Sequence, residues 1–308
     1  MRNKFADTLY KISLDDDKIC ALVADISPSG SMADFRKKNP NKFINCGVAE
    51  QAMIGLAAGL AMEGLKPFCY TISTFSLFRP FEMIRVDLCY QNLPVTIIGM
   101  GAGLIYSTLG ATHQTYEDIA VSTALPNMQV LAPCDPLEME KATEWCAKES
   151  RSPVYMRIGK AGEPNLTTNA IDKFEVGKLR YIKKGQDYAF ISYGTILNYS
   201  FELDLRLQQK GFKNSVISCH TLKPLDRKGI INLLLNHKNI VCIEEHVKNG
   251  GLGEKIKLIC LEEDIKSNIF HYHLQDKFIH FYGSHTELLK AHNIDVEKIE
   301  GELTLCQE

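Results

Sequence analysis

Along the first half of the chain, short apolar runs alternate with longer stretches whose apolar residues return every three or four positions. Ile19-Cys20-Ala21-Leu22-Val23-Ala24 predicts a buried strand, and Phe43-Ile44-Asn45-Cys46 a second. Residues 66–72, 94–99, 128–133 and 153–157 predict four more, and 50–63, 78–91 and 136–148 predict helices. The first of these helices carries Gly55, Ala58 and Gly59 as a face of small residues. Strands of five or six residues separated by helices mark parallel α/β units. Residues 160–180 break the rhythm with Gly162, Glu163, Pro164, Asn165 and Thr167-Thr168-Asn169, all polar or turn-forming. A domain boundary is expected there. The rhythm restarts with strands at 188–193, 215–219 and 240–244 and a helix at 253–261. The expected fold class is α/β: two doubly wound domains, each a mostly parallel sheet flanked by helices, over residues 1–165 and 175–308.

Composition narrows the function without naming it. The 308 residues are 45% hydrophobic and 23% charged, with a net charge of −2. That is ordinary globular usage, and the scattered basic residues leave no nucleic-acid footprint. Met1-Arg2-Asn3-Lys4-Phe5-Ala6-Asp7 lacks the apolar core of a secretory signal. No run approaches the ~20 apolar residues that span a bilayer. The ten cysteines stand singly, with no Cys-x-x-Cys pair. The expectation is reduced thiols in a cytoplasm, no structural metal, and neither a nucleic-acid nor a membrane partner.

Two segments carry candidate chemistry. Glu50 opens a helix directly after a strand. A glutamate suits a helix N-terminus on electrostatic grounds alone. Set against a flat ring, the same carboxylate can share a proton with a ring nitrogen. Further on, Phe75, Phe78 and Phe81 recur at every third position. They suit core packing on one helical face. They equally suit an aromatic pocket for a planar heterocycle, with Phe75 on a loop that leads into the helix near Pro80. Loops at the carboxyl ends of strands are where α/β sheets bind ligands.

Gly47-Val48-Ala49-Glu50-Gln51, followed about 24 residues later by Thr74-Phe75 and then Phe78 and Phe81, resembles the pyrimidine-binding domain of transketolases and 1-deoxyxylulose-5-phosphate synthases. The resemblance implies an enzyme dependent on thiamine diphosphate. Glu50 matches the glutamate that hydrogen-bonds N1′ of the aminopyrimidine, which lets the exocyclic nitrogen take the proton from C2 of the thiazolium. Phe75, Phe78 and Phe81 match aromatics packed around that ring, Phe78 the one stacked on it most directly. Ala24-Asp25-Ile26-Ser27-Pro28-Ser29 is similar to a family run whose Asp lies near the thiazolium and whose Ser helps to hold the substrate phosphate. Gly110-Ala111-Thr112-His113-Gln114 is similar to the run whose His contacts cofactor and substrate, and Arg157 matches a substrate-phosphate arginine. Each has a plainer reading: a turn for Asp25 and Ser29, packing for His113, a surface charge for Arg157. Residues 221–226 and 244–253 resemble the family's C-terminal domain, which mainly builds the dimer and holds no catalytic residue. The glycine-rich run 250–253 lacks the Gly-Lys-Ser/Thr of a phosphate loop.

The chain departs from the family in two ways. It contains no Gly-Asp-Gly, the motif that holds metal and diphosphate in full-length transketolases. The expected partner is therefore a separate N-terminal subunit that carries the diphosphate-binding domain and a Mg2+ or similar ion, in a heterotetramer with two copies of each chain. The donor-recognition run also differs: Gly101 and Leu109 stand where full-length transketolases have a His and an Asp. A sugar hydroxyl left unpaired against Leu109 would cost roughly 1–3 kcal/mol, so altered donor handling is expected. The expected activity is transfer of a two-carbon ketol unit between a ketose (phosphate) donor and an aldose acceptor. Two alternatives stay open: the β subunit of a 2-oxo-acid dehydrogenase, and a regulatory relative without turnover.

Overall fold

The computed structural model describes residues 1–26 and 32–305. Among them, twelve strands form two sheets. The first sheet uses β1 (Ile19–Val23), β2 (Phe43–Asn45), β3 (Lys66–Ile72), β4 (Thr96–Met100), β5 (Gln129–Leu131) and β6 (Val154–Ile158). The second uses β7 (Arg180–Lys183), β8 (Tyr188–Ser192) and β9 (Ser215–Ser218), then β11 (Asn239–Val247) and β12 (Asn268–Leu274). The strand between them in sequence, β10 (Thr221–Lys223), joins the first sheet, which runs β10-β5-β6-β4-β3-β1-β2. The second runs β12-β11-β8-β9-β7. All pairings are parallel except β10–β5 and β7–β9. The α/β class, with two mostly parallel sheets flanked by helices, stands as expected.

β1 explains why its sequence is a continuous apolar run. Ile19, Ala21 and Val23 enter one apolar cluster with Phe5, Phe35 and Met156, while Cys20 and Leu22 enter the other with Met53, Ala57 and Ile97. A strand covered on both faces needs apolar residues at every position. The helix Pro136–Lys148 follows its sequence signals: Asp135 caps it by accepting from the Glu138 N–H at 2.8 Å, and Pro136 fills the first turn. The second Asp135 oxygen accepts from both the N–H and the hydroxyl of Thr167, at 2.7 and 2.8 Å, and so pins the polar stretch that follows β6.

Three elements differ from the sequence reading. The polar-looking N-terminus forms the helix Arg2–Ser13, which buries Phe5, Ala6 and Leu9 and stacks Phe5 on Tyr70 at 5.8 Å. Residues 78–91 are not one α-helix but a short turn, Phe81–Met83, running into the π-helical segment Ile84–Tyr90. Phe75 lies inside the short helix Ser73–Leu77 rather than on a loop. No described helix is long and apolar enough to cross a membrane.

Candidate active site

The site forms at the carboxyl ends of β1 and β2, which are adjacent and parallel. The Asn45 side-chain oxygen accepts from the backbone N–H of Asp25 and of Gly47, each at 3.0 Å. Gly47 has φ +69°, a conformation glycine adopts without steric cost. Asp25 sits at φ +46°, a region aspartate tolerates better than most residues. This double turn delivers the chain into the helix Glu50–Met62. Met53, Ile54, Ala57 and Ala58 seat that helix on the sheet, and Glu50 at its first position is 4% exposed. The result is a buried carboxylate at the ligand-binding end of an α/β sheet.

Around Glu50 the structure gathers three further side chains. Arg79 Nη1 donates to both Glu50 oxygens, at 3.1 and 3.2 Å. The Arg79 guanidinium carbon lies 4.2 Å from the centre of the Phe75 ring. The His113 imidazole meets Phe75 edge-on at 5.2 Å and Tyr106 at 6.0 Å. His113 Nδ1 is 2.9 Å from the Thr112 hydroxyl. Burial lowers the His113 pKa below its ordinary value, and the Arg79 charge lowers it further. A neutral imidazole at neutral pH follows, able to donate at one nitrogen and accept at the other. The short helix carrying Phe75 is tied to the loop carrying His113: the Ser73 and Thr115 hydroxyls are 2.6 Å apart, and Thr74 Oγ1 donates to the Gln114 carbonyl at 3.4 Å.

The other candidates fall differently. Asp25 is exposed and joined to the Glu50 turn through Asn45, whose amide lies 3.4 Å from Asp25 Oδ1. Ser29 lies outside the described residues. Phe78 and Phe81 pack, half-buried, against the apolar cluster beneath the Glu50–Met62 helix, while Phe75 is the one that meets His113 and Arg79. Arg157 does not join the cluster. It is 3% exposed, its Nε donates to Asp118 at 2.9 Å, and its Nη2 donates to the Glu245 carbonyl at 2.8 Å. A guanidinium closed off from solvent and paired internally is a structural tie, so the phosphate-binding role expected of it finds no support in this geometry. Gly101 has φ +69°, and a Cβ there would overlap the Tyr106 ring. Leu109 is 46% exposed beside Gly110. Sequence reasoning missed Arg79, Asn45 and Tyr106. Arg79 stands between Phe78 and Phe81, masked by the phenylalanine period around it.

A second group of buried acids lies at the end of β11. Glu244 accepts from the Tyr193 hydroxyl, His271 Nε2 and the N–H groups of Leu252 and Gly253, all within 2.6–3.0 Å. The glycine-rich run thus presents its helix N-terminus to a carboxylate of its own chain. Glu245 accepts from His285 Nε2 at 2.8 Å and from the Leu104 N–H at 2.9 Å. His246 Nε2 accepts from the Ala120 N–H at 3.1 Å. Among the described residues, the one cluster with metal-ligand spacing is Cys242, Glu244 and His271. Glu244 already takes four hydrogen bonds there, so this donor set does not fit a cation. The Glu50 cluster offers what a planar nitrogen heterocycle needs: a buried acceptor, linked through Arg79 to an aromatic face that in turn meets a neutral histidine.

The fold is that of an α/β chain, with its candidate ligand site at the carboxyl ends of strands of the first sheet. Residues 1–162 match the transketolase pyrimidine binding domain and residues 177–299 the transketolase C-terminal domain. The chain belongs to the transketolase family and fits the C-terminal subunit of a split transketolase. It is 32% identical over 298 residues to a subunit of the apulose-4-phosphate transketolase of Phocaeicola vulgatus, covering 97% of this chain and 94% of that protein. It is also 32% identical to a 1-deoxy-D-xylulose-5-phosphate synthase of Clostridium perfringens, but spans only 48% of that protein. Among solved structures, a split-gene transketolase described as an inactive beta4 tetramer superposes with a TM-score of 0.88 at 31% identity, over 98% of this chain and 96% of that one. Pichia stipitis transketolase shares the fold, with a TM-score of 0.79 at 19% identity over 45% of its chain.

Proposed function

We propose that the chain is the C-terminal half of a thiamine-diphosphate-dependent transketolase, working in a cytoplasm as part of carbohydrate metabolism. It transfers a two-carbon ketol unit from a ketose or ketose-phosphate donor to an aldose acceptor. The observation that carries this reading is the chain of contacts from the buried Glu50 through Arg79 to Phe75 and on to His113, on the segments that follow β2, β3 and β4. When bound, thiamine diphosphate supplies the electron sink for the carbanion chemistry. Glu50 holds a proton at N1′ of the aminopyrimidine. Phe75 gives the ring an aromatic face, and Phe78 and Phe81 back that region from the apolar cluster they pack against. Asp25 lies on the thiazolium side. His113 exchanges a hydrogen bond with a substrate hydroxyl, where a neutral imidazole serves as donor or acceptor.

The diphosphate and its divalent ion are assigned to a separate subunit with the diphosphate-binding domain. The active assembly is then a heterotetramer with two copies of each chain. Leu109 and Gly101 leave an apolar wall where a donor hydroxyl would otherwise be read. The name of the Phocaeicola vulgatus relative makes apulose 4-phosphate the first sugar to test. The test is co-expression with a diphosphate-binding transketolase subunit, followed by assay of ketose donors against aldose acceptors. Ketol transfer that needs both chains and thiamine diphosphate supports the reading. Decarboxylation of a 2-oxo acid, or no turnover with any donor, overturns it.

A further inference from the structure

The next inference rests on the reading of Glu50 as the ring-binding carboxylate and concerns what fills that seat in the free chain. Arg79 donates from one nitrogen to both Glu50 oxygens and lies over Phe75, its central carbon 4.2 Å from the ring centre. A guanidinium is planar, donates hydrogen bonds from its edge and stacks on aromatic faces. Those are the two contacts an aminopyrimidine makes: an edge donor to a carboxylate and a flat face to a phenyl ring. We infer that Arg79 is an internal stand-in for the cofactor ring, filling the slot between Glu50 and Phe75 in the unloaded chain and vacating it when the ring enters.

The burial pattern fits an exchange of this kind. The Glu50 side chain is 4% exposed and that of Arg79 is 48% exposed. The carboxylate is therefore fixed in the protein, while the guanidinium approaches from the solvent side. It can leave by rotating about its own side-chain bonds, with the apolar clusters undisturbed. Gln51 contacts Arg79 only through the arginine's backbone carbonyl, at 3.5 Å. A buried carboxylate without a partner is unfavourable. The stand-in removes that penalty in the free subunit and turns ring binding into a replacement of one stacked donor by another. Arg79 is thus a positioning residue: it keeps the seat formed and sets how readily the ring takes it.

The test titrates thiamine, which carries the ring but no diphosphate, into the isolated full-length chain by calorimetry or ligand-observed NMR. The variants are Arg79→Met, Arg79→Lys and Glu50→Gln, with unfolding midpoints measured alongside. Arg79→Met removes the competitor and is expected to bind thiamine about tenfold tighter than the wild type, a gain of roughly 1.4 kcal/mol. Arg79→Lys, which keeps the charge but loses the plane, is expected to fall between them. Glu50→Gln is expected to bind at least about tenfold more weakly. A merely structural arginine cannot produce tighter binding on removal. Wild-type binding that Arg79→Met leaves unchanged or weakens overturns the stand-in and leaves the ring seat intact. Wild-type binding that Glu50→Gln leaves unchanged, or no binding by either wild type or Arg79→Met at millimolar thiamine, overturns both.

Discussion

Two buried glutamates define the contrast within this molecule. Glu244, at the end of β11, receives four hydrogen bonds from a tyrosine, a histidine and two backbone N–H groups, and is 0% exposed. Glu50, at the end of β2, receives one half-exposed arginine and is nearly as buried. Both stand at the carboxyl ends of parallel strands, where either could bind a ligand. The difference lies in how full each acceptor shell is. A saturated carboxylate holds structure together, and a carboxylate whose single partner can swing away is available for chemistry.

Breaking Glu244 is expected to have the largest effect. Glu244→Ala leaves the Tyr193 hydroxyl, His271 and two backbone donors without their acceptor. A loss of about 3–5 kcal/mol is expected in denaturant unfolding. Glu50→Gln, by contrast, is expected to leave unfolding within about 1 kcal/mol of the wild type. Equal losses in the two variants would erase the distinction between them.

Next in size is donor choice. Leu109→Asp adds an acceptor, four residues before His113, to the wall proposed to face the donor. It is expected to shift kcat/KM toward donors with a hydroxyl at that wall by about tenfold, measured as a ratio between two ketoses. An unchanged ratio would remove Leu109 from the recognition surface.

The smallest expected effect is on pH. Glu245 is pulled below its ordinary carboxylate value: burial opposes this most strongly, and the charge and hydrogen bond of His285, the Arg157 charge and the Leu104 N–H together outweigh it. His285 is raised above its ordinary 6.5: burial opposes this too, and Glu245 outweighs it. Glu245 adds stability above its ordinary 4.5 and loses it as pH falls through its lowered value. His285 adds stability that is fully present below 6.5 and fades as pH rises through its raised value. The wild type is therefore expected to exceed His285→Gln in stability near pH 6, and the gap to narrow as pH rises through the raised His285 value. The partly exposed histidine limits it to less than about 1 kcal/mol. A gap that widens with pH would show the pair to be wrongly assigned.

Much of the fold was legible because β1, β3 and β6 are buried on both faces and spell continuous apolar runs. The helix Arg2–Ser13 was not, because its apolar side of Phe5, Ala6, Leu9 and the partly buried Tyr10 and Ile12 is broken up by polar residues over about three turns. β10 was not either: Thr221–Lys223 joins the first sheet through antiparallel pairing with Leu131 and Val130, a long-range match that no local pattern announces. Within the candidate site, spacing singled out Glu50, Phe75 and His113, which the structure links through Arg79. Arg157 could not be placed from sequence, because a strand-end arginine looks alike whether it faces a phosphate or a buried acid; here its Nε donates to the buried Asp118. Arg79 was hidden because its role depends on a side-chain fold-back onto Glu50 across 29 residues.

The central claim is that Glu50 of this chain supplies the proton-holding carboxylate of a two-chain ketol-transfer site. The most direct test is ketol transfer by the complex of this chain with a diphosphate-binding transketolase subunit, comparing wild type with Glu50→Gln at saturating thiamine diphosphate. The account predicts a loss of about 10²–10⁴-fold in kcat, with assembly and unfolding midpoint unchanged. A Glu50→Gln complex that turns over at the wild-type rate would contradict it.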